Sequence, residues 1–160
     1  MKTNPFYKKP ARIPFTREGY QKVLEQQKKL LGERPDAVEN LRKSREMGDL
    51  SENGYYKASR AKLSFLDAQL RRLDRLVRLG TIVGQSVLPG VIGFGNTVTV
   101  KSSKITRTLT IVGGYESNPA ENSISHISPL GKALLGHKQG DTIVLQAPSG
   151  DIEYTIESVT

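Results

Sequence analysis

The 160 residues contain no cysteine and no tryptophan, and only two histidines. Without cysteine there is no disulfide and no thiolate metal site, a composition that fits a reducing compartment. Hydrophobic residues make up 36% and aromatics 6%. That supports a small core and suits a chain with much of its length in an exposed arm. No stretch approaches the roughly 20 consecutive apolar residues of a membrane span. The opening MKTNPFYKKPARIPF is basic and carries three prolines. It has neither the apolar run nor the small-residue cleavage site of a signal peptide. A soluble, cytoplasmic protein is expected, with one ordinary domain or two small ones.

Charge is unevenly distributed. Residues 1–79 hold 19 Lys/Arg against 10 Asp/Glu, whereas residues 80–160 hold 5 against 6. The split suggests two modules, the basic one suited to nucleic acid or a large acidic partner. A solvated helical surface rich in Lys and Arg is the plainer alternative.

The basic half has two heptad rhythms. Tyr20, Leu24, Gln27, Leu31, Arg34, Val38 and Leu41 follow one another in alternating steps of 4 and 3, with two polar interruptions. Thr16 is placed to cap this helix, with Glu18 in its first turn. Gly32 and Pro35 fall inside, and Pro35 is expected to kink or locally break the helix. The second rhythm is Tyr56, Ser59, Leu63, Leu66, Leu70, Leu73 and Val77. Neither stripe can be buried alone, so the two helices are expected to fold into an antiparallel coiled-coil hairpin. A helix of about 30 residues reaches roughly 45 Å.

Gly80 closes the second helix. Short β-branched runs broken by turn residues follow, among them NTVTVKS, RTLTIVGG and DTIVLQ, with a turn at APSGD (147–151). PLGKALLG reads as one short helix, with Ser128 as N-cap, Pro129 at the first position and Gly136 as stop. The predicted fold class is α+β: a helical hairpin over 16–79, preceded by a basic extension over 1–15, then a small, strongly bent antiparallel β domain with one helix over 80–160. His126 and His137 read as structural or surface histidines, and GFGNTV (93–98) as a turn without the third glycine of a dinucleotide fingerprint.

The hairpin tip, residues 48–53, sits in MGDLSENGYY. Asp49 and Glu52 have the spacing of a capping box, with Asp49 as N-cap, Glu52 three residues on and Gly48 in the turn. They could equally hold Mg²⁺, which is often bound by one or two protein carboxylates with waters and substrate phosphates. The two uses are compatible. Two acids bind such an ion weakly, so the tip would be half a site, completed by a partner. Arg42, Lys43, Arg45, Lys57 and Arg60 flank it and would steer a phosphate to the same place.

GDLSEN at the tip, the following YY and ISPLGKALLGHKQGD in the β half resemble the bacterial Gre transcript-cleavage factors, over most of residues 14–159. The resemblance implies an FKBP-like β domain that docks at the rim of the RNA polymerase secondary channel, with Ser128 and Pro129 at the docking surface. It implies a hairpin that passes down the channel to the 3′ end of backtracked nascent RNA. Asp49 and Glu52 match the tip acids that hold a Mg²⁺ jointly with the polymerase and position the attacking water. Arg45 and Arg60 match the basic patch. The polymerase performs the cleavage, so the free protein, a monomer, is expected to bind no metal and have no nuclease activity of its own. The basic extension before Pro14, Gly54 and Gly131 depart from the pattern. Non-cleaving paralogues that inhibit from the same channel are the alternative; the intact Asp-x-x-Glu argues for cleavage. A prolyl isomerase, suggested by an FKBP-like fold, needs an aromatic pocket, and residues 80–160 supply only Phe94, Tyr115 and Tyr154.

Overall fold

A computed structural model describes residues 11–47, 53–85, 88–103, 105–147 and 150–160. Contacts divide the chain into two compact units: Tyr20–Gly80, and a second unit joining residues up to Gly19 with Thr81–Thr160. The described residues before the hairpin thus share a unit with the β half.

The first unit is a helical hairpin. Helix α1 (Arg17–Glu46) and helix α2 (Gly54–Leu79) supply its two arms. Thr16 caps α1 as expected, its Oγ1 accepting from the Gly19 N–H at 2.9 Å. The helix runs unbroken through Pro35. The expected local break does not occur: exposed Pro35 lies inside the continuous helix, where it costs the one N–H bond it cannot donate and crowds the carbonyl four residues back.

The buried stripe of α2 is the predicted one, with Ser59, Leu66, Leu70 and Leu73 buried and Leu76 beside them. The stripe of α1 is partly shifted. Leu24, Leu31 and Val38 are exposed. The inward positions are Val23, Leu30 and Ala37, each one residue earlier, together with Gln27, Leu41 and Ser44. Ala37 packs with Leu66 and Leu70, and Leu30 and Leu63 lean on the same cluster. The inward line of α1 thus mixes small, polar and apolar residues, whereas Leu24, Leu31 and Val38 stay exposed.

The two polar interruptions of the first heptad have partners across the hairpin. Gln27 Nε2 donates to Asp74 Oδ1 at 2.6 Å, and Arg34 Nε donates to Asp67 Oδ1 at 2.8 Å. Near the open end the Tyr20 hydroxyl donates to the Val77 carbonyl at 3.1 Å. As one partner's number rises the other's falls, which is an antiparallel register. The two exposed side-chain pairs, Gln27–Asp74 and Arg34–Asp67, contribute on the order of 0–1 kcal/mol each; their use is to disfavour slipped alignments.

In the second unit, strand β1 (Ile13–Phe15) pairs with strand β2 (Gly80–Ile82) in a two-stranded sheet. The main sheet has five strands: β3 (Thr97–Lys101), β4 (Thr106–Val112), β5 (Ser123–Ser125), β6 (Thr142–Ala147) and β7 (Gly150–Val159). Their order is β5-β4-β3-β7-β6. Val98 and Val100 of β3 are fully buried and pack with Ile92, Leu109, Ile111, Leu134, Ile143 and Ile156. The alternate face carries a threonine ladder: Thr97 and Thr99 meet Thr110 and Thr108 through hydroxyl contacts of 3.0 and 3.1 Å. This is the period-two alternation of a half-buried strand.

The sheet is not wholly antiparallel. β4 and β5 pair in parallel. Residues 113–122, which include a 3₁₀ turn at Pro119–Glu121, cross over instead of forming a tight hairpin. A bulge between Thr99 and Val100 in the β3–β7 pairing adds twist. Helix α3 (Pro129–Leu134) has Ser128 as its N-cap, as expected. The β6–β7 register closes at Ala147 and Gly150; Pro148 and Ser149 of the predicted turn lie outside the described residues. Among the described residues no helix is long and apolar enough to cross a membrane.

Candidate functional site

Asp49 and Glu52, with Gly48, Leu50 and Ser51, lie outside the described residues. The groups on both sides are described. α2 does not begin with the predicted capping box. Its N-cap is Asn53, whose side-chain Oδ1 accepts from the Tyr56 N–H at 3.0 Å. The first turn of α2 contains no acidic residue. A cap must reach the N–H groups of the second or third helical residue; Asn53 does so, and Asp49 and Glu52 precede the helix that it starts. α2 therefore has its cap without either carboxylate.

The Asn53 side chain makes a second bond. Its Nδ2 donates to the Ser44 carbonyl, in the last turn of α1, at 3.0 Å. Ser44 is fully buried, and its hydroxyl donates back to the Leu41 carbonyl at 2.8 Å. Next to this bridge the Tyr55 hydroxyl reaches Asn40 Oδ1 at 3.4 Å. Sequence reasoning missed Asn53. The signal was an asparagine, a strong N-cap residue, directly before the helical run of GYYKAS, one residue past the Asp-x-x-Glu spacing that also fits a capping box.

The predicted basic residues separate into two classes. All five are exposed and lie in the last turns of α1 or the first turns of α2. Arg42 is engaged within its own helix, bonded to Glu39 at 2.8 and 2.9 Å and to Glu46. Its bonds to Glu39 raise its pKa further above the usual guanidinium range and lower that of the Glu39 carboxylate. Lys43 Nζ stands 3.8 Å from Glu39. Arg45, Lys57 and Arg60 make no ion pair among the described residues. No bond to a described residue has to break before their positive charge meets an anion. Lys57 and Arg60 are three apart on α2 and share a face.

Ser128 and Pro129 belong to the other unit. The Ser128 hydroxyl donates to the Ser125 carbonyl at 2.7 Å and accepts from the Gly131 N–H at 3.0 Å, so it is occupied in holding the start of α3. Pro129 is exposed, and so is Ile127 before it. The histidines have local partners: His126 Nδ1 meets the Val112 carbonyl at 3.2 Å beneath Phe94, and His137 Nδ1 meets Asp141 Oδ2 at 3.3 Å. Among the described residues no group of three His, Cys, Asp or Glu could hold a metal ion.

Comparison with known proteins covers both halves. Residues 13–81 match the family described as "Transcription elongation factor, N-terminal", and residues 87–160 match "Transcription elongation factor, GreA/GreB, C-term". The chain is 37% identical over 149 residues to a transcription elongation factor GreA of Nitratiruptor sp., covering 91% of each. It is 39% identical over 150 residues to the GreA of Maridesulfovibrio salexigens, covering 92% of this chain and 94% of that one. Among solved structures, the GreA factor homolog Gfh1 of Thermus thermophilus overlaps 93% of this chain and 99% of its own, at 25% identity and a TM-score of 0.45.

Proposed function

The chain belongs to the GreA/GreB family of transcription elongation factors, and from that premise we propose that it enters the secondary channel of bacterial RNA polymerase in the cytoplasm and stimulates cleavage of backtracked nascent RNA. The observation that carries the reading is a set of exposed cations, Arg45, Lys57 and Arg60, without an ion pair among the described residues, at the end of the hairpin where the chain carries Asp49 and Glu52. A helix of about 30 residues reaches roughly 45 Å, enough to deliver that end into a deep cleft.

The chemistry of the donor set fits Mg²⁺: Asp49 and Glu52 offer hard carboxylate oxygens, and two such ligands suit an ion that keeps its remaining positions for water and phosphate. When bound, the ion supplies activation of water and charge stabilisation in phosphodiester hydrolysis. Asp49 and Glu52 would hold it jointly with the polymerase. Arg45, Lys57 and Arg60 draw in the phosphates of the extruded 3′ segment. The pairing of Arg42 with Glu39 and Glu46 gives it a smaller share of that task. Because two acids are too few to retain the ion alone, the free chain has no nuclease activity, and its catalysis is borrowed from the polymerase.

The test is a stalled, backtracked complex treated with wild type, Asp49→Ala and Glu52→Ala. Wild type shortens the RNA in a Mg²⁺-dependent way; each variant binds the polymerase but cleaves at least a hundredfold more slowly, on the scale of losing a positioned catalytic group. Normal cleavage by both variants would sink the assignment. Suppression of initiation by wild type without RNA shortening would instead favour a non-cleaving channel regulator.

A further inference from the structure

Beside the long Tyr55–Asn40 contact at 3.4 Å, the tip carries a side chain, Asn53, that bonds to the main chain of both arms, and its two bonds are of a particular kind. A helix leaves its last four carbonyls and its first four N–H groups without partners inside the helix. Ser44, whose carbonyl accepts from Asn53 Nδ2, is among the last four residues of α1. Tyr56, whose N–H donates to Asn53 Oδ1, is among the first four of α2. One amide group therefore satisfies an orphan acceptor of one helix and an orphan donor of the other. Only one orientation of the amide does both, since oxygen must face the N–H and nitrogen the carbonyl. The Asn53 carbonyl in addition accepts from the Lys57 N–H at 3.1 Å, the first main-chain bond of α2. Both ends of the bridge are set: Ser44 is fully buried, and Asn53 is held by its main chain as well as its side chain.

We propose that Asn53 is a positioning residue for transcript cleavage: by tying the last turn of α1 to the first turn of α2, it fixes the two ends between which Gly48–Glu52 must close. The inference rests on the cleavage reading above. Its physical content is entropic. Holding the ends of a short segment lowers the number of conformations open to the groups it carries, and groups that must share an ion with a partner gain rate from being placed in advance. Serine and aspartate cap a helix about as well as asparagine. Neither offers an N–H₂ to a carbonyl, so neither can make the second bond. The cap and the bridge can thus be separated by substitution.

The experiment compares wild type, Asn53→Ser and Asn53→Asp as full chains. Two measurements are made on each. The first is the distance distribution between spin labels at Glu46→Cys and Ala58→Cys, which the cysteine-free background permits. The second is cleavage in a backtracked complex at saturating factor across a range of Mg²⁺. Both variants should melt within a few degrees of wild type, because the cap remains. The label distribution should broaden. Maximal cleavage should fall about tenfold to a hundredfold, with the concentration for half-maximal effect within about twofold, the shift expected when binding is untouched and positioning is lost. The Mg²⁺ curve should move to higher concentration, a change that a purely structural role would not produce. An unchanged label distribution, or unimpaired cleavage by Asn53→Ser, overturns the proposal. Should Asn53→Asp cleave as wild type, the bridge is dispensable and the proposal fails. If wild type leaves the RNA uncut, the cleavage reading itself fails and this inference falls with it, whereas cleavage by wild type and Asn53→Ser alike overturns this inference alone.

Discussion

Replacing Gly32 by alanine should stabilise the hairpin, and the sign of the effect tests how α1 passes Pro35. In sequence, Gly32 followed three residues later by Pro35 is a helix-stop signal: glycine in a left-handed C-terminal position and proline just beyond it. In the structure neither residue ends anything, because α1 continues to Glu46. Gly32 is exposed, it is not among the positive-φ glycines, and a Cβ built on it meets no atom within 4 Å. The substitution therefore carries no steric or backbone cost. What remains is the difference in helix propensity, about 1 kcal/mol in favour of alanine, part of which arises from restricting the unfolded chain. For a unit the size of Tyr20–Gly80, a gain of about 1 kcal/mol raises the melting temperature by about 4–8 °C. Thermal unfolding followed by far-UV circular dichroism reads the shift directly. If the helix instead stopped near residue 32, alanine would force a left-handed position and lower the melting temperature. A decrease, or no change, would refute the continuous helix.

Arg45→Ala should weaken the apparent affinity for a backtracked complex and reduce the slope of log affinity against log salt by about 0.7, the share of one single-strand phosphate contact; Arg42→Ala should do less, since Arg42 is already bonded to Glu39 and Glu46. A larger effect at Arg42 would overturn the division of the basic residues into paired and free. Asp141→Asn should change the acid limb of stability. The Lys138 N–H at 2.8 Å, and then His137, hold the Asp141 carboxyl below its ordinary 3.8. Its stabilisation is complete above that ordinary value and is lost as pH falls through the lower folded value. The melting-temperature gap between wild type and Asp141→Asn should be open at neutral pH, begin to narrow at about pH 4 and close once the pH is below the folded value, and a gap that stays constant through that range would contradict the assignment.

Where a stripe is made of one kind of residue, the sequence was enough to read it. Leucines at 63, 66, 70 and 73 left one face for α2, and Val98 and Val100 between threonines left one face for β3. α1 was harder because its apolar residues occur on both sides of the inward line: Leu30 and Leu31 are adjacent, and the buried line runs through Ala37, which packs with Leu66 and Leu70 and which a search for large apolar residues passes over. The polar breaks at Gln27 and Arg34 could be seen, but their partners Asp74 and Asp67 required the register. The parallel pairing of β4 with β5 rests on three short matches set by the path of residues 113–122, which no local pattern carries. At the tip, Asp49 and Glu52 were recognisable by motif; Asn53 was not, because its part in the bridge depends on a carbonyl nine residues earlier in the chain.

The pairing of β1 with β2 makes the hairpin an insertion. Strands at Ile13–Phe15 and Gly80–Ile82 belong together, with both helices threaded between them. In an unfolded chain that contact would close a long loop, and each doubling of loop length costs about 0.6 kcal/mol. Folding the helices first brings the two strands within a few residues of one another and removes most of that cost. Local helical contacts also form faster than distant strand pairs. During synthesis the arm should therefore be the folding template: it assembles while the β half is still emerging, and it brings β1 and β2 side by side in their own two-stranded sheet before the five-stranded sheet is complete.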